Sequence, residues 1–95
     1  GFIVNNSEDK NGENAEKIYA VNIKNSQVTY KLYGYGVKNN GTGTIYIENS
    51  DINSSSENQN NSTGTIIINN SKIKSELRNS SSGRILIIGD NSLLK

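Results

Sequence analysis

With no His and no Cys in the sequence, the groups left to do acid–base chemistry are the carboxylates. Glu48, Asp51 and Glu57 fall close together and Asp90 follows further on. Two carboxyl groups facing each other across about 5 to 9.5 Å can cleave a glycosidic bond. Nothing in the spacing of these four forces such a pair, so solvated faces and turns are the expected places for them. The missing His removes the commonest general base, and the missing Cys removes thiolate chemistry and any disulfide framework. A calcium loop needs clustered oxygen ligands, whereas Asp9, Asp51 and Asp90 stand alone. No metal and no other cofactor is expected.

Binding is the other chemistry on offer. Tyr33 and Tyr35 form a candidate aromatic patch beside Gly34 and Gly36, and exposed aromatic faces can stack on sugar rings. Core and corner packing is the competing role for this cluster, since alternation turns the neighbouring Tyr30 inward. A net charge of +1 with interspersed signs argues against a nucleic-acid footprint, which needs a clustered basic face.

These groups must be positioned by repeats. Five copies of apolar, any, apolar, any, Asn-Ser run through the chain, the last with two residues inserted. The Asn-Ser pairs begin at positions 6, 25, 49, 70 and 91, in steps of 19, 24, 21 and 21 residues. A period near twenty with a strand-like unit per repeat is the signature of a solenoid. Such a scaffold also suits the low apolar content of 32%, because each repeat buries a thin strip against its neighbours. Alternation within each copy gives one inward column of Phe2, Val21, Ile45, Ile66 and Ile85. A second holds Val4, Ile23, Ile47, Ile68 and Ile87. Val28, Ile52, Ile73 and Leu94 head a second short strand.

The predicted fold is all-β, a parallel β-helix of three short strands per coil. It makes about four and a half coils over residues 1–95, irregular over 1–16 and regular over 17–95. Gly43, Gly64 and Gly83 are expected at corners that need positive φ. Asn25, Asn49, Asn70 and Asn91 are expected one above another at the corner after the strand, where Asn tolerates the left-handed conformation and stacked amides hydrogen-bond along a ladder. Tyr46, Ile67 and Leu86 form an outward apolar column, extended by Ile3 and broken by Asn22. A contiguous apolar stripe on a sheet can mark an interface, and this is the candidate interface of the chain.

The run Tyr35-Gly36-Val37-Lys38-Asn39-Asn40-Gly41-Thr42-Gly43-Thr44-Ile45-Tyr46-Ile47-Glu48-Asn49-Ser50 resembles passenger domains of Gram-negative type V autotransporters. It is similar to the related filamentous-haemagglutinin-type adhesins and the large adhesins of low-GC anaerobes. The resemblance implies a right-handed parallel β-helix that is secreted and displayed on the cell surface. It also implies anchoring through an outer-membrane barrel outside this fragment. The expected function is that of a structural and adhesive stalk, not an enzyme. Its expected partners are a host or bacterial surface protein or glycan and the rest of the parent chain, with no nucleic acid. Two alternatives stay open: a fragment of a β-helical polysaccharide lyase, hydrolase or phage tailspike, and a self-association element built on the outward stripe.

Overall fold

The structure is a computed structural model that describes residues 3–30, 36–54, 57–89 and 93–94. The strands, in chain order, are β1 (Ile3–Asn5), β2 (Lys10–Asn11), β3 (Lys17–Ile18), β4 (Val21–Lys24), β5 (Gln27–Tyr30), β6 (Val37–Asn39) and β7 (Thr44–Glu48). They continue with β8 (Asp51–Ser54), β9 (Asn58–Asn60), β10 (Thr65–Asn69), β11 (Lys72–Lys74), β12 (Leu77–Asn79), β13 (Arg84–Ile88) and β14 (Leu93–Leu94). Three four-stranded sheets result: β1-β6-β9-β12, β4-β7-β10-β13 and β5-β8-β11-β14. We call them the first, second and third sheets. Among the described residues all their pairings are parallel, and the chain visits the three in rotation. The architecture is all-β with stacked parallel sheets, compatible with a β-solenoid.

Register explains why the aliphatic residues recur. In the second sheet Val21, Ile45, Ile66 and Ile85 stand in one row, and Ile23, Ile47, Ile68 and Ile87 in the next. In the third sheet Val28, Ile52, Ile73 and Leu94 align. Ile45, Ile47, Ile52, Ile66, Ile68, Ile73 and Val37 are almost wholly buried and form the core. Burial of each such side chain contributes about 1.5–3 kcal/mol, an upper figure because the unfolded chain is itself partly compact. β-Branched side chains suit these positions because they pack well on a pleated surface.

Two expectations fail here. Phe2–Ser7 is not a copy of the second-sheet repeat. β1 pairs with β6, with Ile3 opposite Val37 and Asn5 opposite Asn39. Ile3 therefore packs on the core and does not extend the outward stripe, while Val4 is exposed. Phe2 lies outside the described residues. The deciding match is Ile3-Val4-Asn5-Asn6 against Val37-Lys38-Asn39-Asn40, an Asn-Asn motif that the Asn-Ser alignment obscured.

The second failure concerns the glycines. Gly43, Gly64 and Gly83 do not have positive φ; among the described glycines only Gly89 does, at 89°. They are needed for close approach. A Cβ on Gly64 would lie 2.5 Å from the Gly41 carbonyl oxygen, and one on Gly83 would lie 2.6 Å from that of Ser62. Adjacent turns of backbone touch at this corner and leave no room for a side chain.

Candidate functional site

The outward face of the second sheet is built by alternation. Ile66 and Ile68 point in, so Ile67 between them points out and is half-buried. Register sets Asn22, Tyr46, Ile67 and Leu86 side by side on successive strands. Tyr46 is fixed in place. Its hydroxyl donates to Glu48 Oε1 at 2.6 Å and accepts from Asn69 Nδ2 at 2.9 Å. Its ring stacks on Tyr19, with centroids 5.1 Å apart and planes at 17°. The bond to Glu48 is the main cause that raises the phenol above its usual pKa, because ionisation would surrender that donor. The result is a rigid aromatic pair at one end of an aliphatic stripe. No sequence signal marked Tyr19 as its partner.

The corner between the second and third sheets explains the Asn-Ser pairs. Asn25, Asn49 and Asn70 have φ of 52°, 47° and 47°, the left-handed region that Asn enters more readily than other side chains. Asn49 Nδ2 donates to Asn25 Oδ1 at 2.7 Å. In register with Asn70 stands Gly89, where a Cβ would collide with Asn70 Oδ1. Gly89 therefore takes the corner position expected for Asn91. Asn91, Tyr33 and Tyr35 all lie outside the described residues.

The serines carry the corner's second set of bonds. Ser26 N–H donates to Ser50 Oγ and Ser50 N–H to Ser71 Oγ. The hydroxyls of Ser26, Ser50 and Ser71 each donate to the carbonyl two residues back. Asn thus supplies the conformation at this corner, and Ser closes its hydrogen bonds.

The carboxylates are dispersed over the fold. Glu48 ends β7 in the second sheet and Asp51 opens β8 in the third. Glu57 precedes β9, where it pairs with Arg78 at 2.9 Å and accepts from Gln59 at 2.8 Å. Asp90 lies outside the described residues. Among the described residues no three His, Cys, Asp or Glu side chains cluster as a metal site would require.

Three features escaped the sequence reading. The first is an asparagine column in the first sheet, Asn5, Asn39, Asn60 and Asn79, buried at the first three positions and exposed at Asn79. Asn5 Nδ2 donates to Asn39 Oδ1 and Asn60 Nδ2 to Asn79 Oδ1, each at 2.9 Å. Asn39, Asn60 and Asn79 each also donate to a glycine carbonyl four residues on, at Gly43, Gly64 and Gly83. That Asn-x-x-x-Gly spacing is the signal that would have found the column. Asn60 Oδ1 is buried without a partner.

The second is Asn58, wholly buried in the row between Val37 and Leu77. Its Oδ1 accepts the Val37 N–H at 2.9 Å, and its Nδ2 lies 3.3 Å from the Lys74 and Glu76 carbonyls.

The third is Asp9. Its Oδ1 accepts the Ala20 N–H at 2.9 Å and the Thr44 N–H at 2.7 Å, and its Oδ2 accepts the Thr44 hydroxyl at 2.7 Å. In later turns the equivalent amides, of Thr65 and Arg84, donate to the Gly43 and Gly64 carbonyls. The Asp9 carboxylate stands in for that carbonyl. Burial pushes its pKa up. The Thr44 hydroxyl, the Thr44 and Ala20 amides and Lys17 together outweigh burial and hold it below the usual carboxylate value.

Comparison of the chain with protein-family models, with curated proteins and with solved structures finds no match.

Proposed function

We propose that the chain is a segment of a right-handed parallel β-helix, with three strands to each coil. In this reading it serves as stalk and adhesive surface in a bacterial cell-surface passenger of the autotransporter kind. The observation that carries the reading is the rotation of the chain through three parallel sheets, with aliphatic and amide side chains in register from turn to turn. Such a fold adds length by repetition, each turn resting only on its neighbours. Without disulfides it can cross a pore unfolded and form turn by turn. Its partner in this role is a surface protein or glycan that meets the lateral faces.

The test is exposure. On intact cells of the organism that makes it, an antibody against this chain is expected to bind, and external protease is expected to remove the epitope. Detection only after lysis would end the surface reading.

The adjacency of Tyr46, Ile67 and Leu86 favours a second reading, self-association through that stripe. Mixing cells that display the native chain with cells that display Ile67→Lys is expected to reduce clumping if the stripe docks on its own copy. Unchanged clumping would remove this reading.

A further inference from the structure

Four residues connect the first sheet to the second in the later turns, 40–43, 61–64 and 80–83, but fifteen do so between β1 and β4. The extra chain forms an antiparallel hairpin of β2 and β3, closed by a 3-10 turn at Glu13–Ala15. Asn14 and Ala15 have φ of 56° and 60°, a strained conformation for Ala. No residue from Lys10 to Ile18 is buried. The hairpin therefore adds nothing to the core, yet its base is held by the Asp9 carboxylate. A loop that a rigid scaffold holds without burying it is placed for contact.

At the root of the hairpin is a hollow of about 280 Å³, lined by Ser7, Glu8, Lys10, Ile18, Tyr19 and Ala20. Small-molecule pockets start near 300 Å³, so this one suits a single ring. Its aromatic wall is preorganised, because Tyr19 stacks on Tyr46 and Tyr46 is pinned by Glu48 and Asn69. Ile18 and Ala20 are apolar members of the lining, while Ser7, Glu8 and Lys10 are the members that carry hydroxyl, carboxylate and ammonium groups. The opposite charges of Glu8 and Lys10 offset each other, which favours a neutral ligand over an anion. An apolar face joined to an edge of hydroxyls is the chemistry of a neutral sugar ring. A second hollow shares Ser7, Glu8 and Lys10 and continues past Asn6, Asn40 and Thr42, where the Asn40 amide donates to Asn6 Oδ1 and accepts from Asn61 Nδ2.

We propose that the hollow at the hairpin root binds one ring of a neutral glycan, with Tyr19 as its stacking platform. This rests on the adhesive reading and names its ligand class. The probes are methyl glycosides of glucose, galactose, mannose and N-acetylglucosamine, titrated to millimolar levels into the full chain and followed by amide NMR. At least one is expected to give saturable shifts confined to residues 7–20 and 40–42. Tyr19→Ala is expected to weaken binding by about tenfold, the loss of one stacking contact, and Tyr19→Phe to retain it. Glu8→Ala, which leaves the aromatic stack intact, is expected to weaken it as well. The proposal is overturned if no glycoside shifts these residues, if the shifts map to Ile67 and Leu86, or if Tyr19→Ala and Glu8→Ala bind as the native chain does. It is overturned equally if only peptides perturb the hollow. Surface exposure without glycoside binding would remove this site and leave the stalk reading standing; binding by a chain found only inside the cell would do the reverse.

Discussion

The turns from Val37 to Ile88 and the turn that precedes them close by different means. In the later turns aliphatic rows fill most of the interior, and the Thr65 and Arg84 amides at the sheet entrance find the glycine carbonyl of the turn below. In the first, the hairpin interrupts that ladder, and one carboxylate from Asp9 replaces the missing acceptor for two strands at once. Val21, Ile23 and Val28 are only half-buried, whereas Ile45, Ile47 and Ile52 are sealed. The lesson is that repetition supplies stability, while an interruption of the repeat must be tied in by a polar group chosen for that place.

The sharpest way to break the comparison is to put a charge into the repeated region. Ile68→Asp is expected to destabilise the chain by several kcal/mol, since the carboxylate would be buried without a partner. Ile67→Asp, one residue away on the outer face, is expected to cost far less. Thermal melts that rank them the other way round would contradict the inward and outward assignment. Gly64→Ala comes next. Its methyl would lie 2.5 Å from the Gly41 carbonyl oxygen, so the turns must separate, at about 1–3 kcal/mol as for overpacking elsewhere. A melt unchanged by this substitution would contradict the close contact of turns at that corner.

A smaller effect separates the two asparagine columns. Asn39→Ala removes a buried donor and leaves the Gly43 carbonyl and the Asn5 amide short of a partner, at about 1–3 kcal/mol. Asn49→Ala, at the exposed corner, loses one amide bond and the ease of positive φ, at about 1 kcal/mol or less. Equal losses in chemical denaturation would show that burial does not distinguish the columns.

The smallest effect belongs to the first turn and depends on pH. The Asp9 carboxyl has its folded pKa depressed. Its stabilising contribution is therefore complete above the unfolded value of about 3.9 and is lost as pH falls through the folded value. The difference in stability between the native chain and Asp9→Asn is expected to shrink on acidification through that range. A difference that stays constant would detach Asp9 from the acid response.

Much of the second and third sheets was legible in the sequence, because their interiors are aliphatic and alternation reports an aliphatic interior directly. The first sheet was not. By hydropathy Asn58-Gln59-Asn60 and Arg78-Asn79 are polar connections, yet they lie in strands, and Asn58 and Asn60 are among the most deeply buried residues. Hydropathy cannot show a polar interior whose bonds go to backbone carbonyls and amides. The last turn was legible in its aliphatic register, Ile85 and Ile87, although Ile87 is exposed where an inward side chain was expected, and its corner was not legible, since Gly serves a left-handed position as well as Asn does. The outward row of Tyr46, Ile67 and Leu86 followed from period alone. Tyr19 did not, because it reaches that row from an insertion. Asp9 lay beyond reach for a similar reason: its partner Thr44 is 35 residues away, and no local spacing announces the pairing.

Residue-resolved amide hydrogen exchange of the native chain and Asp9→Ala tests the contrast between the two regions most directly. The account predicts that Ala20 and Thr44 lose protection in the variant along with the hairpin base, while Ile45–Ile47 and Ile66–Ile68 stay the slowest amides in both proteins. Protection lost uniformly through Ile68, or kept at Ala20 and Thr44, would contradict it.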